Sequence, residues 1–127
     1  MTAIDTLELA DRFFAAIEDG DVDVLRQLYD PGVEIWHNTD GVVQRLDDNL
    51  ATLAWMGRNL PDLRYTEVRR TATAEGFVQQ HVLVATNRAG RRIEVPACIV
   101  TRVGDDGRIS RLDEYLDSAA VAAILEK

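Results

Sequence analysis

A single cysteine, Cys98, excludes an intramolecular disulfide and any metal site built from several thiolates. It stands in the apolar run VPACIV, where a free thiol is expected to behave as a small buried hydrophobe. No apolar run approaches the roughly 20 residues that a membrane-spanning helix needs, so a membrane-embedded chain is not expected. Positive charge is short as well. Fourteen Lys and Arg face 22 Asp and Glu, a net charge of −8 that repels phosphate backbones and anionic lipid surfaces. Neither nucleic acid nor a membrane is therefore an expected partner. The pairs Arg69-Arg70 and Arg91-Arg92 fall in strand-like segments with one solvated face and read as surface charge. No low-complexity tract or signal-peptide pattern appears, and the expected location is cytoplasmic.

What is present is the composition of an ordinary globular chain. With 127 residues, 46% hydrophobic and 28% charged, one core can form without staples, and one domain over residues 1–127 is expected. Leu7, Ala10, Phe14 and Ile17 recur at spacings of three and four, with Phe13 widening the stripe, which predicts an amphipathic helix from Ile4 to Asp19 stopped by Gly20. Asp21 is placed to cap a short second helix carrying Val22, Leu25, Leu28 and Tyr29, ended by DPG at 30–32. Val33 to Asn38 reads as a strand, and NTDG suits a type I turn with Asn38 first and Gly41 last. A third helix follows from about Asp47 to Asn59, with Leu50, Leu53, Ala54 and Trp55 inward.

The period then changes. LRYTEVRRTAT, FVQQHVLVAT, RRIEVPACIVTRV and RISRLDEYL are extended segments separated by AEG, NRAG and GDDG, so they form an antiparallel meander. SAAVAAIL at 118–125 suits a C-terminal helix capped by Ser118. The expected fold class is α+β, with N-terminal helices packed on a curved, mainly antiparallel sheet and a cone-shaped cavity between them.

The segments FFAAIEDGDVDVLRQLYDPGVEIWHN and VTRVGDDGRISRLDEYLD, flanking a matching meander, resemble the nuclear-transport-factor-2-like superfamily, in particular its SnoaL-like branch and the ketosteroid isomerases. The resemblance covers nearly the whole chain and implies a cone-shaped α+β barrel. That superfamily includes isomerases, cyclases, epoxide hydrolases, dehydratases and binding proteins, so fold does not determine function. The isomerase pattern transfers poorly. Its oxyanion-binding tyrosine falls on Phe13, its buried acid falls near Cys98 or Ile99, and its general-base aspartate falls on His37. The epoxide-hydrolase pattern also fails, because VLVATN lacks an Arg-x-Asp, although the last-strand aspartate falls on Glu114.

Strand alternation puts Val33, Ile35 and His37 on one face, Phe77, Gln79, His81 and Leu83 on one face, and Leu112, Glu114 and Leu116 on one face. The resemblance implies that all three sets look into the cavity. His37, His81 and Glu114 are then the candidate catalytic groups, with Phe13, Tyr29, Trp55, Gln79, Leu112 and Leu116 as lining and Asn38 at the mouth. A register slip of one residue would instead turn Asp113 and Tyr115 inward and leave Glu114 to pair with Arg102 or Arg111 at the surface.

Convergent titratable groups in an apolar cavity suit proton transfer: histidine titrates near neutral pH, and a desolvated carboxylate is pushed upward. The leading expectation is a SnoaL-like enzyme without cofactor, isomerising, cyclising, hydrating or dehydrating a compact apolar molecule. His37 or His81 moves the proton and Glu114 orients or protonates its partner. The alternative is a carrier whose histidines only hold a polar handle of a small apolar ligand. A facial metal triad of the two histidines and Glu114 lacks diagnostic spacing, and no metal is expected. Apolar residues on both faces of IEVPACIVTRV predict a homodimer through the outer sheet face.

Overall fold

The computed structural model describes residues 2–127. Helix α1 spans Ala3–Asp19, α2 Val22–Leu28, α3 Leu46–Asn59 and α4 Ser118–Leu125. The strands are β1 Tyr29–His37, β2 Val43–Gln44, β3 Arg64–Ala72, β4 Phe77–Thr86, β5 Arg92–Val103 and β6 Ile109–Leu116. Thr2 opens α1 in a capping box with Asp5, and Gly20 closes it at φ 67°, a left-handed conformation that glycine adopts without steric penalty. The stripe of Leu9, Ala10, Phe13, Phe14 and Ile17 is buried, which is the physical reason for this helix's spacing.

One six-stranded sheet runs in the order β2-β1-β6-β5-β4-β3 and is not closed into a barrel. The meander β3 to β6 is antiparallel, as its tight turns require. Strand β1 joins it in parallel beside β6, and β2 adds a two-residue antiparallel pairing that the sequence pattern did not reveal. Inward side chains of β1, β4, β5 and β6 pack under α1 and α3 to form one core, including Val33, Ile35, Phe77, Leu83, Val95, Ile99 and Leu112.

Several local expectations are corrected. Tyr29 opens β1 instead of ending α2, because α2 stops at Leu28 and the chain turns extended there. Pro31 and Gly32 lie within a register shift of β1 and do not simply end a helix. The turn after β1 closes from Gly41 N–H to the His37 carbonyl at 2.9 Å, one residue wider than Asn38 to Gly41. Asp117, not Ser118, caps α4, because its carboxylate accepts from Ala119 N–H at 2.9 Å. Cys98 is half-exposed on the outer face, since the inward positions of β5 are Ile93, Val95, Ile99 and Thr101.

Arg70 is corrected as well. Strand β3 carries one extra residue between Thr66 and Arg69, with Glu67 at φ 51°, so the alternation flips within the strand. Tyr65, opposite Leu83, and Arg70, opposite Gln79, therefore both face inward. The Arg70 side chain is only 16% exposed.

The β4 and β5 strands are locked at one end by Thr101, whose hydroxyl accepts from Phe77 N–H at 3.1 Å and donates to the Phe77 carbonyl at 3.0 Å. Gly76 sits against this lock: a Cβ there would lie 2.5 Å from the Thr101 carbonyl oxygen and 2.9 Å from its hydroxyl. Backbone cannot yield as a flexible side chain does. Gly76→Ala is therefore expected to destabilise the fold by about 1–3 kcal/mol in urea denaturation. An unchanged midpoint would show that the strand end is free to shift.

Candidate active site

The helices and the inner face of the sheet enclose a cavity of about 300 Å³. Phe13 and Ile17 of α1, Leu53, Trp55 and Met56 of α3, and Val121 and Ile124 of α4 form its apolar walls, with Tyr29, Leu112 and Leu116 from the strands. Helix α4 is held over one end because Asn87 donates to the Ala123 carbonyl at 2.9 Å and Arg91 pairs with Glu126 at 2.8 Å. Arg88 also lies over the Trp55 ring, 5.2 Å from its centroid.

His37 and Glu114 meet at this cavity. The parallel register of β1 and β6 sets them directly side by side on the same face, and His37 Nε2 lies 3.0 Å from Glu114 Oε1. Their side chains are 23% and 20% exposed, so the pair is largely withdrawn from water. The hydrogen bond to Glu114 raises the His37 pKa, burial works in the opposite direction, and the charges of Glu114 and Asp40 raise it further. Among the described residues no hydrogen bond is made to His37 Nδ1. Asp113 and Tyr115 face outward, where Arg111 donates to Asp113 at 2.8 Å and Tyr115 is 47% exposed.

His81 stands apart from this pair. Its backbone neighbour on β5 is Ala97, whereas Glu114 lies beside Ile99, so two strand spacings and two residues along the strand, about 12 Å between backbones, separate His81 from Glu114. Among the described residues no three His, Cys, Asp or Glu side chains gather closely enough to share a metal ion. His81 is 4% exposed, packed edge-on against Tyr65 at 4.7 Å and Phe14 at 5.8 Å. Burial lowers its pKa; the Glu114 charge raises it in part, and Arg70 lowers it further.

Gln79 and Asn38 lie elsewhere than expected. Gln79 is fully buried beside the cavity without lining it, because its amide is held between Arg70 Nε at 2.7 Å and His81 Nδ1 at 2.9 Å. Asn38 does not line the mouth, because its side-chain oxygen accepts from Leu116 N–H at 2.9 Å and extends the β1–β6 pairing. Thr39 and Asp40 stand at the cavity in its place.

Sequence reasoning missed Asn49, Gln44 and Tyr65, all of which line the cavity. Tyr29 donates its hydroxyl to Asn49 at 2.8 Å, and Asn49 donates in turn to Gln44 at 3.0 Å, which joins β1, β2 and α3 through a partly buried polar chain. Tyr65 lines the cavity from β3, with burial pushing its phenol well above the usual range. The only signal for Tyr65 was an aromatic in a strand whose facing depends on the bulge.

A family profile described as the SnoaL-like domain matches residues 10–112. Comparison with curated protein sequences returned no significant match. Among solved structures, a provisionally assigned polyketide cyclase from Xanthomonas campestris is 18% identical with a TM-score of 0.82, the match covering 98% of each chain. IdmH from Streptomyces antibioticus, also provisionally assigned as a polyketide cyclase, is 20% identical with a TM-score of 0.79, covering 94% of this chain and 96% of that one. A Catenulispora acidiphila protein with a ketosteroid isomerase-like fold, in complex with trimethylamine, is 14% identical with a TM-score of 0.79, covering 94% of each chain. At these identities the structural likeness concerns the fold. The sheet order, the helices over its inner face and the profile match over most of the chain agree, and the protein belongs to the SnoaL-like domain family.

Proposed function

We propose that the cavity is the active site of an enzyme that moves a proton on a compact, mostly apolar molecule bearing a carbonyl or hydroxyl, without a cofactor. The observation that carries this reading is the 3.0 Å contact between His37 and Glu114 at the cavity wall. Glu114 takes the Nε2 proton of His37 as its hydrogen-bond partner, which leaves the Nδ1 lone pair free as the base. A proton leaves a substrate carbon next to the carbonyl for Nδ1, and the electron pair moves onto the carbonyl oxygen. The imidazolium so formed is stabilised by the Glu114 carboxylate. Return of the proton to another carbon gives isomerisation, and attack of the enolate carbon on a second carbonyl gives cyclisation. The polyketide cyclase assignments of the two fold relatives are consistent with this chemistry.

The test is turnover of candidate cyclic ketones and poly-carbonyl compounds by the wild-type protein and by His37→Gln and Glu114→Gln. Loss in both variants supports the dyad. A ligand that co-purifies unchanged, with no turnover of related compounds, would instead make the protein a carrier.

The outer sheet face supports a homodimer as the working form. Trp36 stacks edge-on with Tyr115 there at 5.3 Å, and Val68, Val100 and Tyr115 are exposed beside half-exposed Cys98. Light scattering at micromolar concentration is expected to give twice the 14.2 kDa chain mass. A monomer mass would remove that part of the proposal.

A further inference from the structure

His81 carries the only buried side-chain nitrogen or oxygen without a hydrogen-bond partner among the described residues, its Nε2 atom. An unpaired polar atom in such a place costs about 1–3 kcal/mol and calls for an explanation. The surrounding chain of bonds determines what that atom is. Arg70 can only donate, so the Gln79 atom 2.7 Å from its Nε is the amide oxygen. The Gln79 NH₂ must then point at His81 Nδ1, 2.9 Å away, and an NH₂ group can only donate. Nδ1 therefore holds a lone pair, and the proton of the neutral ring sits on Nε2. Arg70 is itself held by Asp11 at the far end of the chain. Protonating Nδ1 would set two donors against each other, which agrees with the direction in which burial moves this histidine.

We infer that His81 is a fixed neutral hydrogen-bond donor for a carbonyl oxygen of the substrate, with Gln79 and Arg70 as positioning residues that set its tautomer. The inference rests on the proton-transfer reading of the same cavity and assigns its substrate class as carbonyl compounds whose enolate oxygen needs a donor. His37 and His81 then divide the work. His37, three strand positions away on the cavity wall with β5 and β6 between, takes the proton, and His81 receives the oxygen on which the negative charge develops. A neutral donor in a water-poor site stabilises that charge without surrendering a full proton. Both histidines border the same cavity, and the β5 residue paired with His81 is the small Ala97. The Tyr65 ring packs edge-on against the imidazole at 4.7 Å, so a substrate oxygen must displace that contact.

The first measurement uses the wild-type protein labelled with ¹⁵N-histidine. With two histidines in the chain, the His37→Gln spectrum assigns both. Long-range ¹H–¹⁵N correlation at pH 7 is expected to show His81 protonated at Nε2 and bare at Nδ1. Protonation at Nδ1 would overturn the inference and leave the His37 dyad untouched. The second measurement compares 1-tetralone with tetralin, a ketone and a hydrocarbon of nearly the same shape. The ketone is expected to bind roughly three- to tenfold more tightly and to shift the Nε2 resonance. His81→Phe should erase that preference, and Gln79→Leu should weaken it while populating both tautomers. Equal binding of the two probes with an unmoved Nε2 resonance would assign the buried N–H to the Tyr65 ring alone. Retained turnover in His37→Gln would instead remove the dyad and leave the tautomer result standing.

Discussion

Replacing His37 with Gln is expected to lower kcat by roughly 10²- to 10⁴-fold, the contribution that a positioned general base makes. The glutamine keeps a polar side chain beside Glu114 but has no lone pair basic enough to take a carbon-bound proton. Glu114→Gln should also lower kcat, because the amide cannot stabilise the imidazolium that forms when His37 accepts the proton. The two effects should not add, since the residues act as one unit through a single 3.0 Å contact. The pH profile separates this role from a structural one. Imidazolium cannot accept a proton, so wild-type activity rises with pH through the His37 pKa, which its hydrogen bond to Glu114 raises above the ordinary histidine value. In Glu114→Gln that hydrogen bond and charge are lost while burial remains, and the rising limb should move to lower pH. A limb that stays in place, with unchanged kcat, would show that Glu114 does not act on His37.

The largest stability effect is expected at Phe14. Its ring is 4% exposed and packs edge-on against Phe13 at 5.1 Å, Tyr65 at 4.9 Å and Phe77 at 6.1 Å. The Arg70 guanidinium also lies over it at 5.6 Å. Truncation to Ala removes these contacts and leaves a cavity at the junction of α1, β3 and β4. A loss of about 3–5 kcal/mol follows, a large share of the about 5–15 kcal/mol that holds a domain folded. Thermal unfolding should fall by roughly 10–20 °C. The same substitution uncovers one side of His81, so water reaches the imidazole and its depressed pKa should rise toward the ordinary value. A variant that melts normally would show that the aromatic cluster relaxes to fill the space.

Much of the fold was legible because the hydrophobic period is a local property. The 3.6-residue stripe of α1 and the alternation of FVQQHVLVAT follow from which side chains must leave water, and both elements stand where that pattern puts them. The antiparallel meander was legible because turns of a few residues permit no other connection. The ends were less so: Tyr29 and Asp117 exchanged roles with their neighbours, since caps depend on single hydrogen bonds.

The amino-acid sequence by itself determined that His37, His81 and Glu114 are outnumbered by apolar neighbours on their own strand faces. Only the tertiary structure decided who meets whom. The His37 contact to Glu114 depends on a parallel β1–β6 pairing between strands at opposite ends of the chain, which no local pattern encodes. The inward turn of Arg70 depends on one extra residue in β3, and a bulge shows itself only against its partner strand. The tautomer of His81 depends on three side chains from two strands whose donors and acceptors must match in sequence. Periodicity reports the face a residue takes, whereas the partner across the sheet is set by hydrogen bonds and packing summed over the whole molecule.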